Sequence, residues 1–121
     1  MKLCFPTVDN RGMESQVHQH FGTAPFYTVI DTDHEDPASR IVKNDNANYH
    51  FGRCQPVQVV IDCGVSAVLV RKMGRKAVEK FNAAGVQVYM IDTFAVIDAL
   101  RDFKTGGCKL LLLDHACHGQ T

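Results

Sequence analysis

Apolar positions along the chain change their spacing about halfway, and the change separates two kinds of element. In the first third they come in short runs divided by turn residues. Lys2 to Val8 is apolar-rich and runs into Asp9-Asn10-Arg11-Gly12, a strong turn signal. Pro25 to Asp31 carries Phe26, Tyr27, Thr28, Val29 and Ile30, the aromatic and β-branched types that suit a pleated surface. The polar segment Thr32 to Ser39 reads as a turn, and Arg40 to Lys43 reads as a third strand returning beside the second. Three strands in succession with short links imply antiparallel pairing among them.

Past the midpoint the period becomes helical. Val57, Val60 and Ile61 recur at helical spacing, Pro56 suits a first turn, and Gly64 can close the helix. Ala67 to Val70 is a continuous apolar run, as in a buried strand. Gly74 opens a second helix that turns Ala77, Val78, Phe81 and Ala84 inward and Arg75, Lys76, Glu79 and Lys80 outward, and Gly85 ends it. Val86 to Ile91 is another strand. Thr93 is placed to cap a third helix with the apolar face Val96, Ile97, Leu100 and Phe103, stopped by Gly106-Gly107. Residues 108–121 read as a short strand and a loose tail. The order β-β-β-α-β-α-β-α implies an α/β fold with a mixed sheet and helices packed on it. Ligands of such sheets favour the crevice at the carboxyl ends of the parallel strands. That edge would gather the loop after the first strand, the turn Arg71-Lys72-Met73-Gly74 and the turn Ile91-Asp92-Thr93.

Composition narrows the function. A chain of 121 residues makes one domain and buries enough surface to fold without disulfide or metal. Lys+Arg and Asp+Glu are 13 each, without the basic excess or stripe of a nucleic-acid binder, so no nucleic-acid partner is expected. Met1 to Pro6 lacks the apolar run of a signal peptide, and no segment approaches the ~20 apolar residues of a membrane helix. The expectation is a cytoplasmic protein with no membrane partner. Five cysteines in a reducing compartment are then thiols or metal ligands rather than a disulfide framework.

Three groups carry candidate chemistry. In His18-Gln19-His20-Phe21-Gly22, two imidazoles stand two apart in a loop before a strand; an extended backbone would point both to one side. Neutral imidazole binds iron, zinc, copper and nickel, and the alternative is a pair of solvated loop histidines. In His50-Phe51-Gly52-Arg53-Cys54, a histidine and a cysteine flank a glycine, with Cys54 at a helix start. There the helix dipole favours a thiolate or an anionic cluster; the alternative is a small buried cysteine. In Asp114-His115-Ala116-Cys117-His118-Gly119, Cys117 and His118 form a dense potential metal-capturing tail, and the alternative is a disordered end. Cys4 and Cys63 read as structural, and Cys108 is open.

Arg71-Lys72-Met73-Gly74-Arg75-Lys76 is basic at a strand-to-helix turn. Arg71 and Arg75 are candidate anion contacts there, or an ordinary solvated turn. No C-x-x-C pair, phosphate loop, G-x-S-x-G or H-E-x-x-H occurs, and Asp9, Asp31, Asp33, Asp62 and Asp92 form no constellation in sequence.

His20-Phe21-Gly22 followed by Ala24-Pro25-Phe26-Tyr27 resembles the H-F-G…F signature of the dinitrogenase iron–molybdenum cofactor biosynthesis family. That family comprises the NifX-type proteins and the C-terminal domain of NifB. The resemblance continues through Gly64 to Val70, Met73 to Ala77 and Ala84 to Tyr89, and covers Lys2 to Gly107. It implies a ribonuclease H-like three-layer fold with a five-stranded mixed sheet, one strand antiparallel, and helices on both faces. It also implies a domain over residues 1–107 and a Cys/His-containing tail over 108–121. The function it implies is binding or carrying an iron–sulfur or iron–molybdenum type cluster between donor and acceptor proteins, without catalysis. By motif, the family's loop histidine falls on His20, and its glycine-, histidine- and cysteine-rich loop falls on His50 to Cys54. The competing expectations are a ribonuclease H-like hydrolase, which needs clustered carboxylates around divalent ions, and a metal-free partner-binding or regulatory module.

Overall fold

The computed structural model describes residues 1–32, 39–43 and 55–111. The strands are β1 (Lys2–Thr7), β2 (Phe26–Asp31), β3 (Ser39–Lys43), β4 (Ala67–Val70), β5 (Gln87–Met90) and β6 (Lys109–Leu110). The helices are α1 (Gln55–Asp62), α2 (Arg75–Ala83) and α3 (Val96–Lys104), with a short 3-10 turn at Gly12–Glu14. The strands form one six-stranded sheet in the order β3-β2-β1-β4-β5-β6. β1 pairs antiparallel with β2 and parallel with β4; β2–β3 and β5–β6 are antiparallel, and β4–β5 is parallel.

The alternation of side chains along each strand separates two cores. Cys4, Tyr27, Val29, Val68, Val70 and Val88 face Val57 and Val60 of α1 and Val78 and Phe81 of α2. Leu3, Phe5, Ile30, Ala67 and Leu69 face Val96, Ala99 and Leu100 of α3. Helices therefore cover both faces, and every residue of β4 is buried, as its unbroken apolar run requires. Thr7 and Thr28, both buried, satisfy each other through hydroxyls 3.0 Å apart. Helix α1 gives way to Gly64 at φ +76° and α2 to Gly85 at φ +81°, left-handed conformations in which a Cβ is strained. No helix of the described residues is long and apolar enough to cross a membrane.

Four expectations change. The sheet has six strands rather than five, because Lys109–Leu110 adds a two-residue strand beside β5. Two strands, β2 and β6, rather than one, run against the rest. In α3 the inward stripe is Val96, Ala99, Leu100 and Phe103, leaving Ile97 one position off the face and 46% exposed. Thr93 does not cap this helix. Ala95 is the N-cap and offers no side-chain bond, while the Val96 N–H is taken by the Ser15 carbonyl at 3.0 Å.

Candidate functional site at the carboxyl edge of the sheet

Three loops meet where β1, β4 and β5 end. The first is the stretch between β1 and β2, which carries the histidines. Val17 leaves it to bond the Phe94 carbonyl at 2.6 Å, and the His18 N–H bonds the Pro6 carbonyl at 2.8 Å. The chain bends at Gln19. Further on, the Phe21 N–H reaches the Lys72 carbonyl at 3.4 Å, and the buried Tyr27 hydroxyl donates to the Phe21 carbonyl at 2.7 Å. Phe21 is 2% exposed and lies between Tyr27, at 4.9 Å between ring centroids, and Phe81, edge-on at 5.3 Å. Its aromatic ring secures one end of a short bridge whose other end is the Val17–Phe94 bond.

His18 and His20 stand on that bridge. His18 is half-buried and His20 exposed, with ring centroids 6.4 Å apart. They share a side through a bend and not through the extended backbone that their spacing suggested. His18 Nδ1 lies 2.9 Å from the His20 carbonyl oxygen and 3.1 Å from the His20 backbone nitrogen. The His20 N–H donates to Nδ1 in the tautomer that leaves Nδ1 unprotonated, and only in the other tautomer, with Nδ1 donating to the carbonyl, does Nε2 carry the lone pair that a ligating imidazole needs. Two imidazoles on one tetrahedral ion at ~2.0–2.1 Å place their ring centroids about 5 Å apart, so this pair must close by about 1 Å to share one ion and otherwise suits separate atoms of a cluster.

The second loop follows β4. Arg71 is half-buried, and its guanidinium carbon lies 3.7 Å from the centroid of the Phe94 ring. Its Nε and Nη1 are buried without a hydrogen-bond partner among the described residues. Such unpaired donors on a permanent cation are costly unless an acceptor joins them. Arg75 differs: its Nε pairs with Glu79 at 3.0 Å on the exposed face of α2. Gly74, the N-cap of α2, supplies no side-chain bond to the helix start. The third loop, after β5, contributes Phe94, 65% exposed, and Thr93, whose buried hydroxyl also has no described partner.

Sequence reasoning thus located His18, His20 and Arg71 at one edge. His50, Cys54, Cys117 and His118 lie outside the described residues. Phe94 and Tyr27 were missed as site components; an aromatic before a helix and a tyrosine in a strand give no signal of what they will touch. The remaining thiols do not join this edge chemistry. Burial pushes the Cys4 thiol well above its ordinary value, with Cys63 adding to the shift. Burial likewise raises Cys108, helped by Asp102 and Asp92, and its Sγ lies 3.9 Å from the Ala99 carbonyl. The carboxylates do not gather either. Asp9 pairs with Arg11 at 3.0 Å, Asp31 lies 3.6 Å from the N-terminal amine, and Asp62 accepts from Gln58 at 2.8 Å. Among the described residues no three of His, Cys, Asp and Glu are grouped to hold a metal ion.

Known proteins share this frame. The family model described as dinitrogenase iron-molybdenum cofactor matches residues 1–106. A Thermotoga protein solved by NMR, provisionally assigned to NifB and placed in the DUF35 family, superposes with a TM-score of 0.77 at 29% identity, covering 91% of this chain and 92% of that one. The apo form of the orange protein from Desulfovibrio gigas gives a TM-score of 0.82 at 23% identity, covering 91% and 92%, a likeness of fold alone. An uncharacterized protein of Methanocaldococcus jannaschii is 24% identical over 108 residues, 88% of this chain and 87% of that one.

Proposed function

This chain belongs to the dinitrogenase iron–molybdenum cofactor family, and from that premise we propose that it carries an anionic iron–sulfur or iron–molybdenum type cluster on the carboxyl edge of its sheet. The cluster is cargo, received from a donor protein and released to an acceptor, and the chain performs no catalysis on it. The observation that carries this reading is Arg71, a cation whose Nε and Nη1 are buried without a partner among the described residues, beside the histidine loop. A cargo of sulfide-rich anionic metal would supply the missing acceptors, and His18 and His20 would supply nitrogen donors. Few ligands and one exposed imidazole suit a cluster that must leave again. Arg75, engaged with Glu79, contributes only distant charge. Cys54 and His50, and the tail pair Cys117 and His118, remain the proposed sulfur and nitrogen donors outside the described residues. Helices on both faces of a mixed sheet support the ribonuclease H-like arrangement that the family resemblance implies, with six strands in place of its five. The hydrolase reading lacks a comparable support, since its carboxylates are spread over separate partners.

The test is anaerobic reconstitution of the full chain with iron, sulfide and molybdate, followed by metal analysis and absorption spectroscopy. The wild-type chain is expected to take up stoichiometric metal with charge-transfer bands. Arg71→Ala and His20→Ala are each expected to weaken retention about tenfold, the equivalent of one lost charge-assisted bond. Both variants should stay folded, Arg71→Ala losing only the exposed-site cation–π contribution of ~0.5–1 kcal/mol. Wild-type retention in both variants would remove the site.

A further inference from the structure

Among the described residues, four bonds tie the bridge that carries the histidines to the strands and loops around it. Three join backbone to backbone: Val17 N–H to Phe94 C=O, His18 N–H to Pro6 C=O, and Phe21 N–H to Lys72 C=O, the last the longest at 3.4 Å. The fourth is the side-chain bond from the Tyr27 hydroxyl to the Phe21 carbonyl, buried and 2.7 Å long. Among the described residues Tyr27 bonds through its hydroxyl to the Phe21 carbonyl and to neither His18 nor His20. It sits in β2 with its ring in the core below α1 and α2, 1% exposed, and its hydroxyl reaches out of that core to the loop. Without that bond, what holds the far end of the bridge among the described residues is the Phe21–Lys72 contact, the Ala24 N–H on the Phe21 carbonyl, both 3.4 Å, and the packing of the Phe21 ring.

We propose that Tyr27 is the positioning residue of the histidine loop: its hydroxyl fixes the Phe21 carbonyl and so sets where His18 and His20 stand relative to the Arg71 loop. The consequence for cargo rests on the carrier reading, whereas the positioning itself does not. Two facts support it. The Phe21 ring packs directly on the Tyr27 ring, so side chain and carbonyl are held by the same residue and the loop loses both rotation and translation. Burial, with Cys4 adding to it, pushes the Tyr27 phenol far above its ordinary range, so the hydroxyl keeps its proton at neutral pH. Phe21 in turn reaches the carbonyl of Lys72, the neighbour of Arg71. One strand residue therefore registers the imidazoles against the cation.

The test uses Tyr27→Phe in the full, metal-free chain labelled with 15N. The substitution keeps the ring and deletes the donor. The expected result is a folded chain in which the Phe21 amide exchanges about tenfold faster and the His18 ring nitrogens shift toward free-imidazole values, since a lost hydrogen bond is worth about that factor. Zn2+ alone, titrated by calorimetry as a probe of the imidazole pair, should bind about tenfold more weakly than to wild type. A merely structural role would lower the melting temperature and leave the ring-nitrogen spectrum of the folded chain unchanged, and that result would overturn the proposal. If the loop signals move while neither chain binds Zn2+, the positioning stands and the ligand assignment of the histidines falls. Should Tyr27→Phe not fold, the wild-type chain decides by itself. A Tyr27 hydroxyl proton protected from exchange supports the bond, and one exchanging as freely as in a peptide refutes it.

Discussion

At the amino end of the parallel strands the ends of α1 and α2 close on themselves. Cys63 and Gly64 bond back to Val60 and Ile61, and Ala84, Gly85 and Val86 bond back to Lys80, Asn82 and Phe81. At the carboxyl end the loops close on one another: Val17 with Phe94, Phe21 with Lys72, Val96 with Ser15. The first kind of closure needs only its own few residues. The second needs the whole fold in place, and it leaves the Arg71 guanidinium and the Thr93 hydroxyl with unpartnered buried atoms. A protein that spends its local turns on stability at one end and ties distant segments together at the other has built a fixed arrangement of side chains. The unpaired groups among them are where a ligand gains most.

The sharpest break in this contrast is expected from Phe81→Ala. Phe81 is fully buried in α2 and holds the edge of Phe21, so its loss should cost about 3–5 kcal/mol in urea unfolding and loosen the histidine loop as well. A cost below ~1 kcal/mol would mean that the carboxyl edge does not lean on this core. Gly85→Ala acts on the amino end only. No atom lies within 4 Å of the added Cβ, so the expected loss of about 1–2 kcal/mol is backbone strain at φ +81° alone. Metal retention per folded chain should match wild type, and a parallel loss of retention would erase the division between the two ends.

The smallest effect is expected in acid. The neighbouring Ser15 hydroxyl, and then Arg11, hold the Asp9 carboxyl below the usual aspartate range against some opposing desolvation. A carboxyl with a depressed folded-state pKa contributes stability above its unfolded value and loses it as the pH falls through the folded one. Melting temperatures followed from about pH 5 to about pH 2 should therefore fall less steeply in Asp9→Asn than in wild type. Identical slopes would show that this loop adds nothing to acid sensitivity.

Much of the frame was readable because single residues carried it. The unbroken Ala67–Val70 run announced a strand buried on both faces, and Gly64 and Gly85 announced helix ends by the left-handed backbone they permit. A short strand in the tail was legible too, and Lys109–Leu110 is one, but its pairing with β5 was not, since two residues hold no period to fix a partner. Thr93 looked like a cap by residue type, but the bridge between Gln16 and Ala95 carries the extended backbone past it and delays the helix start. The histidines were visible as ligand types, while their bend at Gln19 was not, because it is imposed by bonds to Pro6, Lys72 and Phe94. Arg71 was legible as a charge. That its charge rests on an aromatic face with two donors idle follows only from where Phe94 is brought.

The position of β1 in the sheet has a temporal meaning. It is flanked on one side by β2, which follows closely in the chain, and on the other by β4, which comes only after β3 and α1. At a synthesis rate of ~5–20 residues per second, the β1–β2–β3 meander precedes β4 by roughly 1–5 s. Through that interval the β4-facing edge of β1, with Leu3, Cys4 and Phe5 alternating along it, is an unpaired apolar strand edge of the kind that recruits other chains. The parallel register Leu3–Ala67 and Cys4–Val68 ends the exposure. The nascent chain is thus most prone to association before β4 emerges, and a pause in translation between residues 43 and 67 would lengthen the danger without altering a single residue of the finished protein.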